Sequence, residues 1–198
     1  LNIVLPNSII YGSIFIENGK ISKIEKISDE KKECSKYLLP GIIDPHVHLR
    51  DPGFPQKETV ETGTKAALAG GVTTIFDMPN TAPAVLSKEA FEQKKTLYEK
   101  NAQCQWKLFV SATKNNFDFL ENLDDKRVAG IKIYLGSSTG DLLVEEESLI
   151  YKTFKFIARK KWVLSIHAES EVILKKARAE FKGDMTDPAS HSKIRPVE

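Results

Sequence analysis

The sequence predicts an α/β protein: a (β/α)8 barrel of TIM type, with about the first five β/α units present, preceded by a small β accessory module. Three observations predict it. From residue 38 onward, five apolar strand-like segments alternate with segments of helical periodicity, the pattern of parallel strands joined by crossover helices. No glycine-rich phosphate loop follows the first of them, which disfavours a nucleotide-binding sheet. Residues able to do chemistry fall at the C-terminal ends of the strand candidates, where barrels carry their sites.

The elements follow in order. Residues 1–37 read as the β module, because Ser13–Glu17 and Lys20–Ile24 flank Asn18-Gly19, the strongest short hairpin signal. Ser28–Lys36 is a polar linker. Residues 38–198 form the second domain, with strands expected at Leu38–Leu49, Val72–Met78, Gln105–Ala112, Ala129–Leu135 and Trp162–Ala168. A helix over Lys57–Ala69 stops at Gly70-Gly71. Ser87 N-caps Lys88–Lys100, whose Ala90, Phe91, Leu97 and Tyr98 share a stripe. A short helix is expected at Asn116–Leu123. Glu146–Lys160 carries Ile150, Phe154, Ile157 and Ala158 at helical spacing, and Glu171–Phe181 carries Ile173, Leu174, Ala177 and Phe181. The segment from His191 to Glu198 reads as the entry to a further helix, with Pro196 in its first turn. Five units are not eight, so the sequence is expected to be the N-terminal portion of a longer protein; because it begins at Leu1, its start is expected to have been processed or left out.

Composition narrows the function classes. With 198 residues, 41% hydrophobic and 28% charged, the chain is that of a soluble globular protein. A formal net charge of +2, with no basic run interleaved with aromatics, gives no case for a nucleic-acid partner. The charged runs Glu145–Glu147 and Arg159–Lys161 flank one helix and complement its dipole. No apolar stretch reaches membrane-spanning length, and no basic-then-apolar leader is present. Cys34 and Cys104 are distant and lack metal-ligand spacing, which suits a reducing, cytoplasmic setting while leaving a single bridge open.

The segment at 41–53, GIIDPHVHLRDPG, is the most informative. In an extended strand Asp44, His46, His48 and Arg50 would share one face. Two neutral imidazoles side by side suit a divalent metal such as zinc. An isolated His-x-His is more often a solvated pair on an edge strand, so the other residues decide. Lys132 alternates with Ile131, Ile133 and Leu135, which would pack on outer helices and leave the lysine pointing into the barrel. Burying an ammonium costs several kcal/mol, roughly, unless it is paired or neutralised. A lysine with a lowered pKa is a nucleophile, able to form a Schiff base or to take up carbon dioxide as a carbamate. The plainer alternative is a salt-bridged lysine on an exposed strand. His167 ends the fifth strand candidate, whereas His191 reads as a loop residue. After the second strand candidate, Pro79 and Pro83 fix a loop in which Asn80 offers donor and acceptor. Arg50 offers a fork for a carboxylate, or a surface salt bridge with Asp51.

His-Val-His-Leu-Arg-Asp-Pro-Gly (46–53), Met-Pro-Asn-Thr (78–81) and Gly-Ile-Lys-Ile-Tyr-Leu (130–135) resemble the dihydroorotases of the amidohydrolase superfamily, over nearly the whole chain from Tyr37. The resemblance implies two zinc ions, with His46 and His48 on one, His167 on the other, and carboxylated Lys132 bridging them. Some relatives have an aspartate at that lysine position. Metal-activated water would attack the ring amide of dihydroorotate, while Arg50 and Asn80 hold the substrate carboxylate. The reverse reaction cyclises N-carbamoyl-L-aspartate, a step of pyrimidine biosynthesis. The family's further metal-binding histidine and its general acid/base aspartate come from later strands, so no catalytic residue is assigned within this portion, and the chain alone is expected to be inactive.

Two alternatives accompany that expectation. A hydantoinase or allantoinase would share the metal residues without needing the Arg50–Asn80 clamp. A non-catalytic scaffold subunit would be expected to lose metal ligands, yet all four positions are filled. A homodimer, or association with aspartate transcarbamoylase, is a further expectation.

Overall fold

The computed structural model of the chain describes residues 1–33, 36–136, 142–144 and 146–196. Cys34, Glu145, Val197 and Glu198 lie outside the described residues. The chain divides into two units, Leu1–Ile42 and Ile43–Glu198.

The first unit is a four-stranded sheet in the order β3-β2-β1-β4, built from β1 (Asn2–Leu5), β2 (Ser8–Glu17), β3 (Lys20–Ser28) and β4 (Tyr37–Leu38). Asn18 and Gly19 both take positive φ, 51° and 73°, as the tight turn joining β2 to β3 requires. The hairpin arms run longer than their isoleucine-rich centres, and irregularities of register at Tyr11/Gly12 and Phe15/Ile16 interrupt the pairing. Gly12 is needed there, because a Cβ would meet Glu25 O at 2.2 Å. In the polar segment after β3, Asn2 holds the Lys32 backbone through both its amide nitrogen and its oxygen, each at 2.9 Å.

The continuous strand expected from Leu38 to Leu49 is divided. Tyr37–Leu38 pairs in parallel with β1, and Ile42–Val47 (β5) opens a second sheet. Pro40-Gly41 lies between them, where a missing N–H and a residue of free φ favour a break. Pro45 sits within β5, an edge strand, where its missing donor is tolerated.

The second sheet has the order β5-β6-β7-β8-β9, with β6 Val72–Asp77, β7 Gln105–Ser111, β8 Val128–Tyr134 and β9 Val163–His167. Helices alternate with the strands: α1 (Val60–Ala69), α2 (Lys88–Asn101), α3 (Phe117–Asn122), α4 (Glu147–Lys160), α5 (Glu171–Glu180) and α6 (Ser190–Lys193). This is the β/α succession of a barrel. Ile75, Leu108, Val110, Ile131 and Ile133 pack one face of the sheet against Phe91, Tyr98, Phe117, Leu120 and Phe156 of the helices. Burying such side chains contributes about 1.5–3 kcal/mol each. Gly130 lets β8 approach β9, since a Cβ there would lie 2.1 Å from Val163 O.

Helix starts follow their caps. Thr59 and Thr62 form a reciprocal capping box for α1, which therefore begins at Val60 rather than at Lys57. Ser87 caps α2 as expected. Two stripes extend beyond the periodicity reading. In α4 Ile150 and Ile157 pack partly buried against the core as expected, but the face centres on Leu149, Thr153 and Phe156, and Phe154 and Ala158 are exposed. In α2 Ala90, Phe91 and Tyr98 are buried as expected, and Lys94 joins them. The last helix precedes Pro196 instead of starting at it, and His191 is helical, not in a loop. Among the described residues, no helix is long and apolar enough to cross a membrane.

Candidate metal centre at the strand ends

His46 and His48 project from the same side of β5 and its extension, with ring centroids 5.2 Å apart. The alternation ends before Arg50, whose φ of 63° is left-handed. Arg50 therefore reaches its place through a turn, not through strand parity. That turn is fixed by Phe54 N–H donating to Arg50 O at 2.9 Å, and by Ala82 N–H donating to Pro52 O at 3.0 Å. Gly53 has no room for a Cβ, which would lie 2.5–2.8 Å from Ala82. Asp51 accepts from Val60 N–H at the start of α1, at 3.2 Å, rather than pairing with Arg50. The motif at 46–53 is thus read by the 78–83 loop lying against it.

Asn80 is buried in that loop, and its Oδ1 lies 2.7 Å from His48 Nδ1. An amide oxygen can only accept, so His48 carries its proton on Nδ1 and turns an unprotonated Nε2 outward. Burial lowers the His48 pKa, and the nearby Arg50 guanidinium adds to this against the Asn80 hydrogen bond and the Asp77 charge. His46 is also lowered, first by desolvation, then by the Lys132 ammonium and the His167 ring, against Asp44. Both imidazoles are thereby held toward the neutral form that binds metals.

Lys132 on β8 and His167 on β9 both bear on the His46 pKa, and the two point to the same side of the sheet. Register supports the shared face, because Lys132 lies opposite Ser165 and Tyr134 opposite His167.

Lys132 is 2% exposed, its Nζ 5.0 Å from the centre of the Tyr134 ring. No carboxylate among the described residues pairs with it, and burial lowers its pKa. Its neighbours Ile131 and Ile133 are fully buried in the helix-facing core, as strand alternation requires. His167 Nε2 is bonded to Glu169, whose other carboxylate oxygen takes Arg195. Burial pushes the Glu169 pKa up, but the hydrogen bonds from His167 and Arg195 outweigh it and hold the carboxyl low.

Among the described residues, no three His, Cys, Asp or Glu side chains group closely enough to hold a metal ion. The donor chemistry fits one only if Lys132 takes part, which a free ammonium cannot do. Two groups escaped the sequence reading. Glu169 stands two residues after His167 and was open to the parity argument; Arg195, beyond a helix, gave no signal. The other is a buried ion pair beneath the site. Lys94 and Asp77 are wholly buried, with Nζ 2.7 Å from Oδ2. Asp77 Oδ1 accepts from Leu49 N–H at 3.1 Å, and Lys94 Nζ donates to Met78 O at 2.8 Å. The pair ties the backbone next to His48 to the strand end that leads to Asn80.

The model of the Dihydro-orotase-like family matches residues 35–183. The chain belongs to that family. It is 38% identical over 170 residues to the dihydroorotase of Thermococcus kodakarensis, covering 84% of this chain and 39% of that protein. It is 36% identical over 200 residues to the dihydroorotase of Methanosarcina acetivorans, covering 96% and 42%. This dihydroorotase-like chain therefore spans about two-fifths of the length of these curated relatives. Among solved structures, the L-hydantoinase of Arthrobacter aurescens superposes with a TM-score of 0.82 at 24% identity, over 99% of this chain and 46% of that one. That likeness bears on the fold, and it makes the chain part of a β/α barrel.

Proposed function

We propose that the protein carrying this chain is a zinc-dependent dihydroorotase, interconverting dihydroorotate and N-carbamoyl-L-aspartate in pyrimidine biosynthesis. The observation that carries the reading is Lys132, buried and without a carboxylate partner among the described residues, on the same sheet face as His167. Desolvation favours its neutral amine, whose lone pair can add to carbon dioxide; an N–C bond forms and a proton leaves. The resulting carbamate has two oxygens and a negative charge, turning an unsuitable residue into a ligand between His46/His48 and His167. Zinc held there would supply an acidic water and polarise the amide carbonyl. Arg50, beside His48, offers its guanidinium to the substrate carboxylate, and Asn80 completes that edge while fixing the His48 tautomer. Orientation of the ring amide over the histidine pair is what this clamp contributes.

The test assays the full-length protein on dihydroorotate, hydantoin and allantoin, before and after chelation and with zinc restored. Zinc-restored turnover of dihydroorotate, lost at least ~10²-fold in Arg50→Met, is expected; preference for hydantoin with Arg50→Met unaffected would sink the reading. A full-length protein that binds no zinc would point instead to a scaffold subunit. Lys132→Ala is expected to abolish turnover, with partial rescue by short carboxylic acids.

A further inference from the structure

We infer that Glu169, clamped by Arg195, is a positioning residue that selects the tautomer of His167 and aims its Nδ1 at the metal centre. The inference rests on the reading of His167 as a zinc ligand, and adds what nothing in the binding motif supplies. A carboxylate can only accept a hydrogen bond, so contact with His167 Nε2 places the proton on that nitrogen. The lone pair is then on Nδ1. A neutral imidazole in water exchanges between its two tautomers with only a modest preference, so a strand-end histidine without this partner would not be fixed in the form that frees Nδ1. Metal-ligating histidines depend on such outer partners for orientation and basicity.

The geometry is built, not incidental. Glu169 follows His167 by two residues, so the two side chains leave the chain on the same side while the backbone remains extended. Its second oxygen is occupied by Arg195 Nη1, 26 residues further along, so the carboxylate cannot rotate away from the imidazole. Gly136, one residue beyond Leu135 at the end of the neighbouring strand, makes the room: a Cβ there would lie 2.5 Å from Glu169 Cβ. Tyr134 lies beside the His167 ring, with centroids 6.2 Å apart and planes inclined by 36°. The imidazole is thus held by a carboxylate at one nitrogen and an aromatic face beside it. The same logic operates at His48, where Asn80 holds Nδ1 and frees Nε2. The two strand ends present different nitrogens to one centre, and each choice is made by a partner from outside the histidine motif.

The experiment uses the full-length protein and zinc alone as probe. Zinc affinity is measured by chelator competition, and the His167 tautomer by nitrogen-15 NMR of the metal-free protein, for wild type, Glu169→Ala, Glu169→Gln and His167→Ala. Glu169→Ala is expected to weaken the His167-dependent zinc by about 10–100-fold and to shift the His167 resonances toward the Nδ1–H form. Glu169→Gln, which keeps an acceptor, is expected to retain the Nε2–H tautomer and lose much less affinity, which also separates positioning from misfolding. Unchanged tautomer and affinity in Glu169→Ala, with His167→Ala losing zinc, would overturn the inference alone. Unchanged zinc binding in His167→Ala would overturn the metal reading and the inference with it.

Discussion

Replacing Lys94 by methionine probes the buried support beneath the candidate centre. The substitution nearly preserves side-chain volume but removes the cation that faces Asp77 at 2.7 Å, with neither side chain exposed. It also removes the donor to Met78 O. Removing one partner of a buried pair leaves an uncompensated charge and costs about 3–5 kcal/mol. The entropy of unfolding scales with chain length, so in a full-length protein more than twice the length of this chain each kcal/mol moves Tm by about 1–2 °C, and the expected loss is about 3–10 °C. Thermal unfolding of the metal-free full-length protein, followed by circular dichroism, measures it. The double variant Asp77→Asn/Lys94→Met removes the charge and keeps an acceptor for Leu49 N–H, so it should recover at least about 1 kcal/mol of the single variant's loss. A Lys94→Met protein melting within about 1 °C of wild type, roughly the effect of 1 kcal/mol or less, would refute the reasoning. So would a double variant no more stable than Lys94→Met.

Gly130→Ala should drive β8 from β9, because its Cβ would lie 2.1 Å from the Val163 carbonyl oxygen; a loss of about 3 kcal/mol or more is expected in the same melts. Gly71→Ala, with φ of 83° and open space around it, should cost only about 1–2 kcal/mol, and equal losses at the two sites would contradict the steric argument. Lys95 bonds Asp125 at 2.7 Å, tying α2 to the segment before β8. Burial acts to raise the Asp125 pKa, but the Lys95 hydrogen bond and the Arg127 backbone bond hold it below its ordinary value, while the same pair raises Lys95. The Asp125 contribution is therefore present above about pH 4 and lost as pH falls through the depressed folded value. The Lys95 contribution is present below about pH 10 and lost as pH rises through its raised value. Urea midpoints against pH should show a shallower acid limb in Lys95→Met, and an unchanged limb would remove the pair from the account.

The fold was legible where side-chain periodicity and stop signals agree. Asn18-Gly19 could be read because only residues tolerant of positive φ fit its turn, and Gly70-Gly71 because α1 has no other terminator. The start of the strand from Leu38 is not legible, since an apolar run carries no mark of which sheet each half will join; only the Pro40-Gly41 break divides it. The stripe of α4 is legible in part: Ile150 and Ile157 do pack against the core, but Phe154 does not, and Leu149, Thr153 and Phe156 form the centre of the buried face. Local periodicity cannot choose between faces that differ by one position, whereas packing against Phe117 and Trp162 can.

The two buried lysines show where reading of a site must stop. Lys132 could be found because strands alternate: the isoleucines at 131 and 133 claim one face and force the lysine onto the other. Lys94 could not, because it stands in a helix beside Lys95, among charged residues that a helix can equally well expose. Yet burial alone does not separate their roles. Lys94 has a carboxylate at 2.7 Å and a carbonyl at 2.8 Å, so its ammonium is satisfied and serves the fold. Lys132 has the face of Tyr134 and the nearby His46, with no carboxylate partner among the described residues, so its charged form is penalised. What distinguishes a structural lysine from a chemically available one is the partner, and the partner comes from another strand or helix. The residue types were therefore visible in the chain, but the difference between them is a property of the assembled sheet.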